Sequence, residues 1–116
     1  MTTSPLRTVN DALLRQMAAE IREEIPEAEV RLFGSHARGD ARPSSDVDLM
    51  ITVSDDWYAH HNRFEVLGQL WNKLARHRVS VDLLLYPHSK VEECRHWLSH
   101  VIAQAYREGV VLDGPL

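Results

Sequence analysis

Apolar positions recur along this chain with two different periods. Between Asp11 and Ile25 they fall every three or four residues (Leu13, Leu14, Met17, Ala18, Ile21, Ile25). That spacing predicts an amphipathic helix, capped by Asn10 and stopped by Pro26. Glu29 to Phe33 alternates instead, with Val30 and Leu32 on one face, and predicts a short strand. Gly34 breaks it, and a short helix is expected from Ser35. Pro43-Ser44-Ser45 reads as a turn into a second strand, Asp46 to Val53. Ser54, Asp55 and Asp56 offer a cap for a helix from about Trp57 to His77, with Phe64, Leu67, Leu70, Trp71 and Leu74 on its apolar stripe. Val79 to Tyr86 predicts a third strand, ended by Pro87. Ser89 and Glu92 have the spacing of a capping box for a last helix to Glu108, with Val91, Cys94, Leu98, Val101, Ile102 and Ala105 inward and Gly109 as its stop. Val110 to Leu112 reads as an edge strand, and the first seven residues are expected to fray. The order predicts an α/β (α+β) fold, a small mixed β-sheet with flanking helices.

The length, 116 residues, matches one domain spanning 1–116, and 44% hydrophobic with 26% charged residues is an ordinary globular composition. No segment approaches the ~20 apolar residues that cross a bilayer. Met1-Thr2-Thr3-Ser4-Pro5 lacks the basic and apolar regions of a signal peptide, and a single cysteine, Cys94, fits a reducing compartment. A cytoplasmic location without membrane contact is expected. The net charge of -4 argues against direct nucleic-acid binding through a broad basic face.

Chemistry concentrates between Gly34 and Leu49. Side chains alternate along a strand, so Asp46 and Asp48 point one way while Val47, Leu49, Ile51 and Val53 point into a core. In the third strand Val79, Val81, Leu83 and Leu85 share a face and Asp82 takes the other. If both strands bury their apolar faces in one core, the three carboxylates meet on the opposite side. Their mutual repulsion is relieved by a divalent cation, and Mg2+ prefers such oxygen ligands together with substrate phosphate. The Gly34-Ser35 turn supplies a close backbone approach, a hydroxyl and amides at a helix start, all suited to an anion. Arg38 could add a charge-assisted contact to phosphate, and His36 lies in the same turn and could also reach a phosphate. Each feature alone has a bland reading as a turn, a cap or a solvated charge. Their order and spacing together favour a site for a nucleoside triphosphate.

The remaining candidates carry less. His96 and His100 are four apart and could share a ligand face, but with no companion cysteine the seven histidines read as solvated surface rather than a zinc site. Trp71 fits the inward stripe, whereas Trp97 and Tyr58 suit a partly exposed partner surface. Cys94 lies on an apolar stripe and reads as packing.

Gly34-Ser35, ten residues, then Asp46-Val47-Asp48 resembles the signature of the DNA polymerase beta-like nucleotidyltransferase superfamily. The fuller run, Gly34-Ser35-His36-Ala37-Arg38-Gly39 through Ser45-Asp46-Val47-Asp48-Leu49, looks like its minimal nucleotidyltransferase branch, which includes antitoxins paired with HEPN-domain toxins. The resemblance covers about Asn10 to Leu112, with Asp82 in the place of the third carboxylate. It implies a nucleotidyltransferase fold, Mg2+ on Asp46, Asp48 and Asp82, and ATP held by Gly34, Ser35 and Arg38. It also implies transfer of AMP from ATP to a tyrosine hydroxyl of a HEPN ribonuclease toxin, in a hetero-oligomer, with Asp82 helping to deprotonate the acceptor. Two alternatives stay open: transfer to the hydroxyl of a small molecule, and a subunit that neutralises its toxin by binding alone.

Overall fold

The computed structural model describes residues 9–112, and the expected fraying of the first seven residues lies outside them. Asn10 caps α1 (Asp11–Glu24) by accepting the Leu13 amide at 2.9 Å. The helix ends at Ile25, ahead of Pro26 as its pattern predicts. β1 (Glu29–Phe33) leads through Gly34 into a single helical turn, α2 (Ser35–Arg38), and β2 spans Val47–Val53. β3 spans Val81–Pro87, and a two-residue β4 (Val110–Val111) closes the described chain.

Two expected helices are each broken in two. The segment after β2 forms α3 (Asp55–His60), capped by Ser54 on the Trp57 amide, and α4 (Arg63–Ala75). Asn62 causes the break, because its side chain accepts the Phe64 and Glu65 amides and starts a new helix. The rings of His60 and His61 meanwhile take up the Asp56 and Trp57 carbonyls at the end of α3. The last helix divides into α5 (His88–Cys94) and α6 (Val101–Glu108), and His100 Nδ1 caps α6 by accepting the Ile102 amide. His96 and His100 therefore do not share one helix face. The Ser89–Glu92 capping box does not form either, since the Ser89 amide donates to Asp55 Oδ1 at 3.0 Å.

The strands join in the order β3-β2-β1-β4, with β1 antiparallel to both β2 and β4 and β2 parallel to β3. This is the mixed sheet with flanking helices that the pattern predicts. Val30, Leu32, Val47, Leu49, Ile51, Val53, Leu83 and Leu85 turn one face toward α1 and α4, where Leu13, Leu14, Met17, Ile21, Leu70 and Leu74 complete the main core. The other face carries a smaller core of Phe33 and Met50 against Val91, Cys94, Ile102 and Ala105 of α5 and α6. Met50 is thus buried on the face that also carries Asp48, so the helices cover only part of that face.

Three apolar residues assigned inward point outward. Trp71 is 44% exposed and its indole N–H donates to the Val81 carbonyl at 3.1 Å; Phe64 is 71% and Leu98 78% exposed. Leu98 is turned out because it falls in the break between α5 and α6. Conversely, Glu20 is buried on α1 and accepts from Gln16, Arg76 and His77.

Candidate functional site

Parallel pairing of β2 with β3 sets the site. Asp48 and Asp82 lie directly opposite one another, and register pairs on adjacent strands point to the same face. Their carboxyl groups share a hydrogen bond. Burial pushes the Asp48 carboxyl up to about 6; the negative charges of Asp82 and Asp46 and that hydrogen bond add to the rise, and His36 opposes it. Burial and the neighbouring carboxylates thus act together to disfavour the ionised form of Asp48, a cost that a bound cation would relieve. Asp46 stands exposed one residue ahead of β2. Among the described residues no three acidic, histidine or cysteine side chains already surround one metal-sized point. Asp48 with Asp82 is therefore the assembled part of the trio.

Across β2 on its other side, Asp48 pairs with Phe33, and the next residue is Gly34. Gly34 adopts φ 76°, ψ -158°, a region open essentially to glycine alone. A Cβ there would overlap the Asp48 carboxylate. The bend and the acid are thus in contact, and the sequence needs glycine for two independent reasons. Beyond the bend, the Ala37 and Arg38 amides close on the Gly34 carbonyl and begin α2 with Ser35 at its head. His36 Nε2 lies 3.2 Å from the Ser45 carbonyl and ties that turn to the segment entering β2. The same segment is closed by mutual Arg42–Ser45 hydrogen bonds.

Arg38 reaches Asp40 at 3.2 Å and Glu108 at 3.0 Å, and these hydrogen bonds hold its guanidinium firmly protonated. Glu108 also accepts the Gly34 amide at 2.9 Å and the Gln104 side chain at 2.9 Å. Burial by itself would raise the Glu108 carboxyl, but the bonds from Gln104, Gly34 and Arg38 outweigh it and hold it low. Gln104 and Glu108 are the site neighbours that the sequence reading passes over. The available signal is an acidic residue in the last turn of a helix, where the macrodipole disfavours it.

The structure therefore brings Gly34, Ser35, Asp48 and Asp82 to one end of the sheet, with Asp46 and Arg38 at its rim. A separate cleft of about 510 Å3, lined by Glu27, Glu29, Thr52, Val53, Ser54, Asp55, His88 and Tyr106, contains none of them. It opens at the opposite end of β2.

The profile of the nucleotidyltransferase domain matches residues 14–107. The chain belongs to the nucleotidyltransferase family. No curated protein matches this nucleotidyltransferase in sequence. Solved structures share its fold. A candidate nucleotidyltransferase from Sulfolobus solfataricus superposes with a TM-score of 0.53 at 20% identity, over 87% of this chain and 77% of that one. A toxin–antitoxin structure with AMP-PNP gives 0.54 at 21% identity, over 92% and 75%. The toxin–antitoxin pair MntA–HpeT, carrying two aspartate-to-glutamate substitutions, gives 0.59 at 20% identity, again over 92% and 75%. No helix among the described residues of the nucleotidyltransferase is long and apolar enough to cross a membrane.

Proposed function

We propose that this nucleotidyltransferase is an antitoxin enzyme that transfers AMP from ATP to a tyrosine hydroxyl of a cognate HEPN ribonuclease toxin in the cytoplasm. The observation that carries the reading is the Asp48–Asp82 pair in register beside the Gly34 bend. The fold shared with toxin–antitoxin structures, one of them with AMP-PNP, supports the choice of partner and nucleotide.

The donor set fits a hard divalent ion: carboxylate oxygens only, at a pair where burial first and mutual repulsion second disfavour the ionised form of Asp48. Asp46, Asp48 and Asp82 would hold Mg2+, which neutralises charge on the phosphates and on the pyrophosphate leaving group. The Ser35 hydroxyl and the backbone of the Gly34-Ser35 turn hold the triphosphate, and Arg38 adds positive charge at the rim. The tyrosine oxygen attacks the α-phosphorus of ATP and forms a new O–P bond. The bond from that phosphorus to the bridging oxygen of the β-phosphate breaks, and pyrophosphate departs. Asp82, exposed on the edge strand β3, accepts the tyrosine proton. Residues on strands with fixed register keep these groups in place without rearrangement, which is where most of the acceleration in such transfers arises.

The test is to incubate the purified chain with ATP, Mg2+ and a candidate HEPN-domain partner, and to map the product by mass spectrometry. AMP on a tyrosine and a silenced ribonuclease are expected, with Asp48→Asn and Asp82→Asn each slowing transfer by roughly a hundredfold or more. An unmodified partner that still cleaves RNA would refute the reading.

A further inference from the structure

The carboxyl-terminal helix grips the phosphate turn through a single oxygen. Glu108 Oε1 accepts the Gly34 amide at 2.9 Å, Arg38 Nη1 at 3.0 Å and Gln104 Nε2 at 2.9 Å. Two of these donors belong to the segment read above as holding triphosphate, yet Glu108 lies 74 residues beyond Gly34. Helix stability does not account for it, since a carboxylate in the last turn of α6 opposes the macrodipole. Nor is it a loose surface pair: the Glu108 side chain is only 19% exposed. Arg38 is held at two points, Nη1 on Glu108 and Nε on Asp40. Asp40, itself 62% exposed, is a poor anchor alone. Gly34, in a conformation that only glycine adopts, has its amide direction fixed by the same carboxylate.

We propose that Glu108 is a positioning residue for triphosphate recognition: it fixes the Gly34 backbone and the Arg38 guanidinium before the nucleotide arrives. The proposal rests on the reading of this turn as the ATP site. Glu108 acts through its two donors and does not itself touch substrate. Preorganisation of this kind appears in affinity, because binding no longer has to order a long flexible side chain. One such side chain and one amide together correspond to roughly tenfold in affinity.

The experiment measures binding of α,β-methylene ATP, which cannot release pyrophosphate, with Mg2+ by calorimetry on the full chain. Glu108→Ala and Glu108→Gln are compared in the native background and in Arg38→Ala, and the Gly34 amide is followed by 15N NMR. Glu108→Ala should weaken binding about tenfold. Glu108→Gln keeps an acceptor for the amide but loses the charge, so it should weaken binding about threefold and move the Gly34 resonance less. In the Arg38→Ala background the Glu108→Gln effect should vanish. With transfer as readout, KM for ATP should rise while kcat changes less than about threefold. Native affinity in Glu108→Gln, or an equal loss with and without Arg38, overturns the proposal; Glu108→Gln decides the matter if the alanine variant does not fold. A chain that binds the analogue but transfers nothing defeats the proposed reaction and leaves this test intact. A chain that binds no nucleotide defeats both.

Discussion

Removing one charge from the Asp48–Asp82 pair should make the protein more stable while it disables the site. The Asp48 carboxyl rises from 3.8 to about 6 in the folded chain, driven first by burial and then by Asp82 and Asp46. Its folded form therefore keeps a proton at pH values where the unfolded chain has lost it. Stability from this group is present below pH 3.8 and drains away as pH climbs to about 6. The shift, about two pKa units at 1.36 kcal/mol each, sets a ceiling of ~3 kcal/mol. Solvent reaches the pair and screens it, so ~1–2 kcal/mol is the working figure. Asp48→Asn removes this cost and keeps an amide that can donate to Asp82. Urea denaturation of both proteins without divalent ions should show the variant ~1–2 kcal/mol more stable at pH 8. The difference should shrink toward zero at pH 4. Taking the difference between the two proteins cancels other carboxylates such as Glu20 and Glu108, whose opposite trends lie at lower pH. An Asp48→Asn variant less stable than the native chain at pH 8, or a gain that ignores pH, refutes the electrostatic account of the pair.

Gly34→Ala places a Cβ against the Asp48 carboxylate in a backbone region reserved for glycine, and should cost at least ~1–3 kcal/mol in urea unfolding. Glu20→Ala takes away the acceptor used by His77 and Arg76, and a thermal melt should register a loss of ~1–3 kcal/mol. Burial alone would raise the Glu20 carboxyl, but bonds from Gln16, Arg76 and His77 hold it below its ordinary 4.5. Its contribution is therefore complete above that value and fades as pH falls through the lowered one, so the native and Glu20→Ala curves should converge in acid. Mg2+ with ATP at about a hundred times its Kd should stabilise the chain by ~2.7 kcal/mol, or several degrees in a melt. Asp48→Asn should abolish most of that shift.

Much of the site was legible because strand geometry is strict. Residues alternate faces along a strand, so Val47 and Asp48 divide core from acid by spacing alone, and Asp82 follows once both apolar faces are matched; Asp46 falls just ahead of β2, where that rule no longer holds it. Only the shared face could be expected; that Asp48 and Asp82 sit directly opposite one another is set by the parallel β2–β3 ladder, which no spacing in the sequence encodes. The α1 stripe and its stop before Pro26 were equally local. The helix breaks were hidden because Asn62 and His100 act as caps inside runs that keep helical spacing, and a cap is visible only when its neighbours commit to ending. Trp71 has the spacing of a core residue but packs at the border of β3, where its indole N–H finds the Val81 carbonyl. The bonds that Glu20 and Glu108 make were out of reach for a different reason, although Glu108 does stand out as an acid in the last turn of a helix. Their partners lie 57 and 74 residues away, and no local pattern encodes a hydrogen bond at that separation.

In the proposed reaction, nucleotide and divalent ion meet where the Gly34 bend touches Asp48, opposite Asp82. Paramagnetic broadening of the 15N-labelled chain by substoichiometric Mn2+ with α,β-methylene ATP locates that point directly. Amides at 34–36, 46–48 and 81–83 should broaden first, only when nucleotide is present, and not in Asp48→Asn. Broadening centred on the cleft of Glu27, Thr52 and Asp55, or spread evenly over surface carboxylates, would contradict it.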